Sequence, residues 1–125
     1  MKKLSLIMLF MFTTLFSFSQ NWKELKTEDG IKVEYSLQEN SNNTIEYVVF
    51  KLTNVESSDK DINVTLNFDY GNGLRPTDDD YHIILTPNSP IIGDVGTRYL
   101  VLSKRFLNNT SKTTLIDFDI EIQTN

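Results

Sequence analysis

A two-residue alternation of apolar and polar side chains constrains this chain more than any other feature. The alternation is clearest between residues 62 and 70, where every second residue is apolar: Ile62, Val64, Leu66, Phe68 and Tyr70. The residues between them are asparagine, threonine and aspartate. Successive side chains of a strand point to opposite faces, so this period buries one face and leaves the other in water. The segment is therefore predicted to be a strand with one buried face.

The run before it has the same period and is more apolar. Val48, Phe50 and Leu52 fall on one face, while Tyr47 and Val49 make the other face partly apolar as well. Such a pattern is typical of a central strand that is covered on both sides. Short polar residues separate the two runs and predict a turn. We therefore expect Thr44–Tyr70 to form the central hairpin or corner of a β-sandwich.

Further strand signals lie on both sides of this stretch. Asp29-Gly30 predicts a hairpin turn after a short edge strand, because this dipeptide tolerates the positive φ of tight turns. Alternation returns at the end of the chain, between Ile116 and Gln123. No window has a capped apolar stripe of helical period. About seven short strands predict an all-β fold, an immunoglobulin-like antiparallel β-sandwich, with a small β-barrel as the alternative.

The first nineteen residues have the pattern of a secretory signal peptide. Lys2 and Lys3 precede an apolar run from Leu4 to Phe16, and small residues follow at Ser17 and Ser19. We predict cleavage after Ser19, which leaves one domain over residues 20–125, with an uncleaved anchor as the alternative. The protein is then expected in the periplasm or outside the cell, without stable membrane insertion after cleavage.

Composition excludes several function classes. The chain contains no cysteine, so thiol catalysis, iron–sulfur clusters, cysteine zinc sites and disulfides are ruled out. The formal net charge is −5, and removal of Lys2 and Lys3 with the leader makes it −7. An acidic domain repels nucleic acids and anionic lipid surfaces. We therefore expect no nucleic-acid partner, and solubility is the simplest role of the charge.

The best candidates for chemistry are Asp78, Asp79, Asp80 and His82, the only histidine. Histidine beside carboxylates can serve as a general base or a metal ligand, but a hydrolytic zinc site needs three protein ligands. The spacing of Asp78 and Asp80 resembles the start of a calcium loop, whose later glycine and glutamate are missing. A solvated acidic turn is the favoured interpretation. We predict no catalytic residue, no metal site and no cofactor.

Two other features bear on binding. Asp117, Asp119 and Glu121 form an acidic ridge on the last predicted strand, which could receive a basic partner or could simply discourage aggregation. The connections Gly71–Asp80 and Asn88–Gly96 are predicted to be the long loops where recognition by a sandwich usually occurs.

Several short motifs resemble a group of small exported bacterial proteins with a single immunoglobulin-like domain. The motifs are W-K-x-x-K-T-x-D-G-I-K at Trp22–Lys32, L-x-N-x at Leu52–Val55, Y-H-x-x-L-x-P-N at Tyr81–Asn88, G-D at Gly93-Asp94 and L-x-x-F-x-I at Leu115–Ile120. Together they span most of the mature domain. Members of that group often carry cysteines in the middle loops and after the G-D turn, and this chain has none. The resemblance implies the fold and export, and it implies no activity.

Taken together, these observations predict a secreted, non-catalytic binding or interaction module at the bacterial cell envelope. Its expected partner is a protein or a glycan. Two alternatives remain open at this point: a small metal-dependent hydrolase centred on Asp78–His82, and a structural envelope protein without a specific ligand.

Overall fold

The structure, a computed structural model, describes residues 21–108 and 114–125. The predicted signal peptide, residues 1–19, and its cleavage after Ser19 lie outside the described residues. The described ranges form eight strands: β1 Lys23–Glu28, β2 Ile31–Glu39, β3 Ile45–Asn54, β4 Lys60–Asp69, β5 Arg75–Leu85, β6 Ile91–Ile92, β7 Val101–Phe106 and β8 Asp117–Thr124.

The strands form two antiparallel sheets that do not close into a barrel. Sheet A contains β1, β2 and β3 in that order, with β6 and β7 both pairing with β3. Sheet B has the order β5-β4-β8. The predicted all-β sandwich is thus confirmed, and the barrel alternative is wrong. In the two described ranges we find no helix of the length and hydropathy needed to cross a membrane.

The first hairpin confirms the turn predicted from Asp29-Gly30. Glu28 pairs with Ile31, so the loop between β1 and β2 is two residues long. Both loop residues have positive φ, 52° at Asp29 and 74° at Gly30. A two-residue turn with two positive φ values matches the twist of the flanking strands. This hairpin fixes the register of β1 as an edge strand of sheet A.

The stretch Thr44–Tyr70 is a corner between the sheets, not a hairpin within one of them. β3 belongs to sheet A and β4 to sheet B, although only five residues separate them. Consecutive strands B and C of an immunoglobulin domain also lie in opposite sheets. Because β4 does not pair with β3, both of its sides are free to pair with β5 and β8.

Asn54, the last residue of β3, holds this corner together. Its side chain is fully buried. Its Nδ2 donates to Ser58 O at 2.7 Å and to Leu85 O at 3.0 Å, and its Oδ1 accepts the Glu56 N–H at 2.9 Å. The amide therefore joins the turn to β5, and its bond to Leu85 O is buried, where a polar group without a partner is costly.

The core lies between the sheets, on the faces that the alternation predicts. β3 contributes Val48, Phe50 and Leu52, all fully buried, and β4 contributes Ile62, Val64 and Leu66. The ring of Phe50 meets that of Phe118 edge to face, with centroids 5.7 Å apart. Tyr70 extends from sheet B to sheet A, where its hydroxyl donates to Ser103 O at 2.6 Å. Burial of the Tyr70 ring raises the pKa of its hydroxyl.

The loop predicted over Gly71–Asp80 is wrong for most of its length, because β5 begins at Arg75. Arg75 and Pro76 pair with Phe68 and Asn67, and after an irregularity Asp80 pairs with Thr65. Residues 77–79 therefore bulge opposite a single position of β4. Pro76 is compatible with pairing here because β5 is an edge strand, and edge strands and bulges tolerate proline.

Candidate functional site

The outer face of sheet B collects most of the polar residues singled out in the sequence. We call it the acidic face, formed by Asp61 and Asp69 on β4, Asp80 and His82 on β5, and Asp117, Asp119 and Glu121 on β8. The two candidate groups lie far apart in sequence, and β4 brings them together by pairing with both strands. The surface between them is formed by the polar side chains of β4.

One row across the sheet shows this convergence directly. Thr65 on β4 pairs with Asp80 on one side and with Glu121 on the other. Its hydroxyl lies 3.4 Å from Asp80 Oδ1. Neighbouring strands are about 4.8 Å apart, so the backbones carrying the two carboxylates are about 10 Å apart. A basin of about 350 Å³, lined also by Asn63 and Gln123, lies between them.

His82 occupies the same face but faces a single carboxylate. Its Nε2 lies 2.5 Å from Asp61 Oδ1, and Asn125 Nδ2 donates to the same oxygen at 3.0 Å. The hydrogen bond from Asn125, followed by that from His82, lowers the pKa of Asp61 below its ordinary value of 3.8. Both side chains are solvent-exposed, 61% for His82 and 50% for Asp61.

An acid titration followed by NMR tests this cluster. We expect the pKa of Asp61 to lie below 3.8 and to rise in Asn125→Ala and, by a smaller amount, in His82→Ala. The control Gln38→Ala, in sheet A, should leave the pKa of Asp61 unchanged. Since a lowered carboxyl pKa stabilises the folded protein above the unfolded pKa, this contribution is lost as the pH falls through the folded pKa. If the pKa of Asp61 were the same in both variants as in the unsubstituted protein, the hydrogen bonds from Asn125 and His82 would be contradicted.

Asp78 and Asp79 are not part of the paired row. They lie in the bulge of β5 together with Thr77, whose hydroxyl donates to Asp79 O at 3.2 Å. Both aspartates are exposed. The candidate group Asp78, Asp79, Asp80 and His82 is thus split between a bulge and a regular strand. Within residues 21–108 and 114–125, no three His, Asp or Glu side chains are placed to hold one metal ion.

The acidic ridge of β8 lies on the acidic face as predicted, and one member has a partner that the sequence did not reveal. Lys26 of β1 reaches across from sheet A, with Nζ 3.2 Å from Asp119 Oδ1 and 3.1 Å from Glu28 Oε2. The same Nζ donates to Ile120 O at 2.5 Å. Burial lowers the pKa of Lys26, but the hydrogen bonds and charges of Glu28 and Asp119 raise it overall.

The other carboxylates of the acidic face are not neutralised. No lysine or arginine of the described ranges forms an ion pair with Asp80, Asp117 or Glu121. Asp69 Oδ1 instead accepts the N–H groups of Gly71 and Gly73, at 2.7 and 3.1 Å. The face therefore carries an excess of negative charge that is spread over three strands.

Comparison of the chain with protein-family models, with curated proteins and with solved structures gave no match.

Proposed function

We propose that this protein is a secreted, non-catalytic interaction module of the bacterial cell envelope, and that its acidic face binds a basic segment of a partner protein. The observation that carries the proposal is the group of carboxylates on the acidic face, Asp80, Asp117 and Glu121, that have no cationic partner in the described part of the chain. A basic partner would relieve the mutual repulsion of these charges and would be steered to them from solution.

A protein partner fits this face better than a glycan or a small molecule. Pockets for small ligands are concave and are lined mostly by apolar and aromatic side chains. The basin between Asp80 and Glu121 is mostly polar, and its lining includes Asn63, Thr65 and Gln123. Polar, charged surfaces of this kind suit contacts between proteins, where charge complementarity determines specificity and association rate.

We propose a non-catalytic role for the protein because of the surroundings of His82. The side chain is 61% exposed on an open sheet face, where water reaches both it and Asp61. Catalytic electrostatics depend on a water-excluded site in which charges interact strongly. This favours binding over the hydrolase centred on Asp78–His82.

Site-specific cross-linking in intact cells tests the proposal. The chain has no cysteine, so a single cysteine can carry a photoreactive group at any exposed position. We expect Gln123→Cys, on the acidic face, to give a discrete cross-linked product with a second protein. The matched control Ser57→Cys, in the exposed turn after β3, should give none.

Charge reversal makes the same test quantitative. Glu121→Lys should reduce the yield of the Gln123 product several-fold, because it replaces an attractive contact by a repulsive one. Asp59→Lys changes the net charge equally at a position outside the acidic face and should leave the yield unchanged. Equal products from residues 57 and 123, or a yield that does not respond to Glu121→Lys, would refute the proposed function.

A further inference from the structure

β8 lies at an edge of sheet B, and no described strand pairs with its outer side. In an immunoglobulin sandwich, strands C, F and G are neighbours in one sheet. β4 and β8 correspond to strands C and F, because β4 follows the corner and β8 pairs with it. The place next to β8 that strand G would take is not occupied by any strand of residues 21–108 or 114–125.

The register shows which backbone groups face this edge. Asn125 N–H donates to Asp61 O at 2.9 Å, and the β4–β8 register continues from this pair. Hydrogen-bonded pairs alternate along an antiparallel ladder, so Phe118, Ile120 and Ile122 direct their N–H and C=O groups away from β4.

Side chains satisfy two of these outward groups. Phe118 N–H donates to Asp117 Oδ1 at 2.9 Å, and Ile120 O accepts from Lys26 Nζ at 2.5 Å. Side chains of this kind protect an edge from uncontrolled pairing, and they can be displaced by a strand that offers better partners.

A groove with both apolar and polar lining residues opens beside this edge, between the two sheets. Its volume is about 510 Å³, and its lining includes Tyr35, Leu37, Ile116 and Phe118. Leu37 is 44% exposed and Ile116 69% exposed, which are high values for large apolar side chains. A strand added next to β8 would direct every second side chain toward the space between the sheets, and the side chain level with Phe118 would enter this groove.

The opposite side chains of an added strand would lie beside Asp117, Asp119 and Glu121 on the acidic face. Lys26 already provides an example of what this edge accepts, since its ammonium both donates to Ile120 O and pairs with Asp119. We propose that the β8 edge binds, by strand addition, an extended partner segment in which basic and apolar residues alternate. This rests on the proposed function and specifies how the acidic face takes its partner.

The steps of this binding follow from the contacts. A backbone N–H of the segment replaces Lys26 Nζ as the donor to Ile120 O, and a basic side chain replaces the ammonium at Asp119. Apolar side chains of the segment cover Leu37 and Ile116. Main-chain bonds then provide affinity, and the alternating side chains provide specificity.

Charge argues against a second copy of this chain as the occupant. Pairing two β8 strands would place their rows of Asp117, Asp119 and Glu121 beside each other, and like charges directly opposite each other destabilise a sheet. Two lysines that line the groove, Lys23 and Lys104, belong to strands of sheet A. The basic side chains of an added strand would project onto the acidic face of sheet B, away from these two lysines.

Calorimetric titration of the purified protein with synthetic peptides tests the proposal. The probe is a seven-residue peptide of alternating lysine and valine with both ends blocked. One control has the same composition with the lysines and valines in separate blocks, and another has glutamate in place of lysine. We expect the alternating peptide to bind at least about tenfold more tightly than the block peptide. We expect no measurable binding of the glutamate peptide.

Hydrogen exchange and substitutions locate the binding. The amides of Phe118, Ile120 and Ile122 should become protected only when the alternating peptide is present. Ile116→Gln and Leu37→Gln, both at exposed positions, should weaken binding several-fold. Ile84→Gln, on the exposed side of β5, should not. Lys26→Met removes the resident ammonium but keeps its stem, and it should tighten binding about two- to fivefold.

Several results would overturn the inference. Equal binding of the alternating and block peptides would mean that charge alone is recognised, and strand addition would be refuted. The proposed function would still be supported if Gln123→Cys gave its cross-linked product. Protection of the same amides without peptide would assign the edge to this chain or to a second copy, and a dimer of the purified protein would identify the second copy. Unchanged or weaker binding by Lys26→Met would exclude displacement at Ile120 O.

Discussion

Replacing Phe50 by alanine is expected to lower the free energy of unfolding by about 4 kcal/mol, the typical cost of removing a large aromatic side chain from a packed core. Phe50 is fully buried in β3 and contacts Phe118 of the other sheet. Its loss leaves a cavity between the two sheets and removes an aromatic contact across them. Urea denaturation with an unchanged m-value measures the effect as a shift of the midpoint.

The matched control for Phe50 is Ile84→Ala in β5. Ile84 is 57% exposed, so its truncation should cost less than about 1 kcal/mol, mostly through lower strand propensity. A domain of this size has a total stability of about 5–15 kcal/mol, so the Phe50 variant should still fold in the absence of urea. Similar losses for the two variants would contradict a core located between β3 and β8.

Asn54→Ala is expected to cost about 3 kcal/mol, although it removes a polar side chain rather than an apolar one. The substitution leaves Ser58 O, Leu85 O and the Glu56 N–H without the partner they have in the folded protein. An unsatisfied buried group costs about 1–3 kcal/mol, and the turn after β3 can recover part of this by rearranging.

Asn63→Ala is the control for Asn54. Asn63 lies on the acidic face, and its one side-chain hydrogen bond, to Asn125, is long at 3.5 Å. Its replacement should change the free energy of unfolding by less than about 0.5 kcal/mol. If Asn54→Ala were as mild as Asn63→Ala, the corner between the sheets would not depend on the buried amide.

The alternation of β4 shows how much of this fold is encoded locally. Ile62, Val64 and Leu66 are buried as their spacing predicts, since a strand has only two faces. The turn at Asp29-Gly30 was predictable for a similar reason, because its conformation depends on the two residues themselves. Both features follow from short-range geometry.

The start of β5 and the role of Asn54 could not be predicted in this way. Glycine, Pro76 and three aspartates are typical of a loop, and only the pairing with β4 at one side makes an edge strand of them. Asn54 bonds to Leu85 O, 31 positions away. Both outcomes depend on which strands become neighbours, and the alternation within each strand does not contain that information.

The candidate site depends on the same long-range pairing. The sequence indicated Asp78–His82 and the ridge of β8 as separate features, and β4 places Asp80 and Glu121 on either side of Thr65. Lys26 gave no signal for this site, because its partners on β8, Asp119 and Ile120, lie more than ninety positions later. The acidic face and its edge are therefore properties of the sandwich and not of any one segment.

Disulfide formation between introduced cysteines tests the position of β4 most directly, and the whole account depends on that position. Asn63 pairs with Gln123 in sheet B, so the double variant Asn63→Cys/Gln123→Cys should oxidise readily to an intramolecular bond. If β3 and β4 formed a hairpin across their turn, Asn63 would instead lie opposite Lys51. The account predicts a bond between residues 63 and 123 and none between 51 and 63, and the reverse result would contradict it.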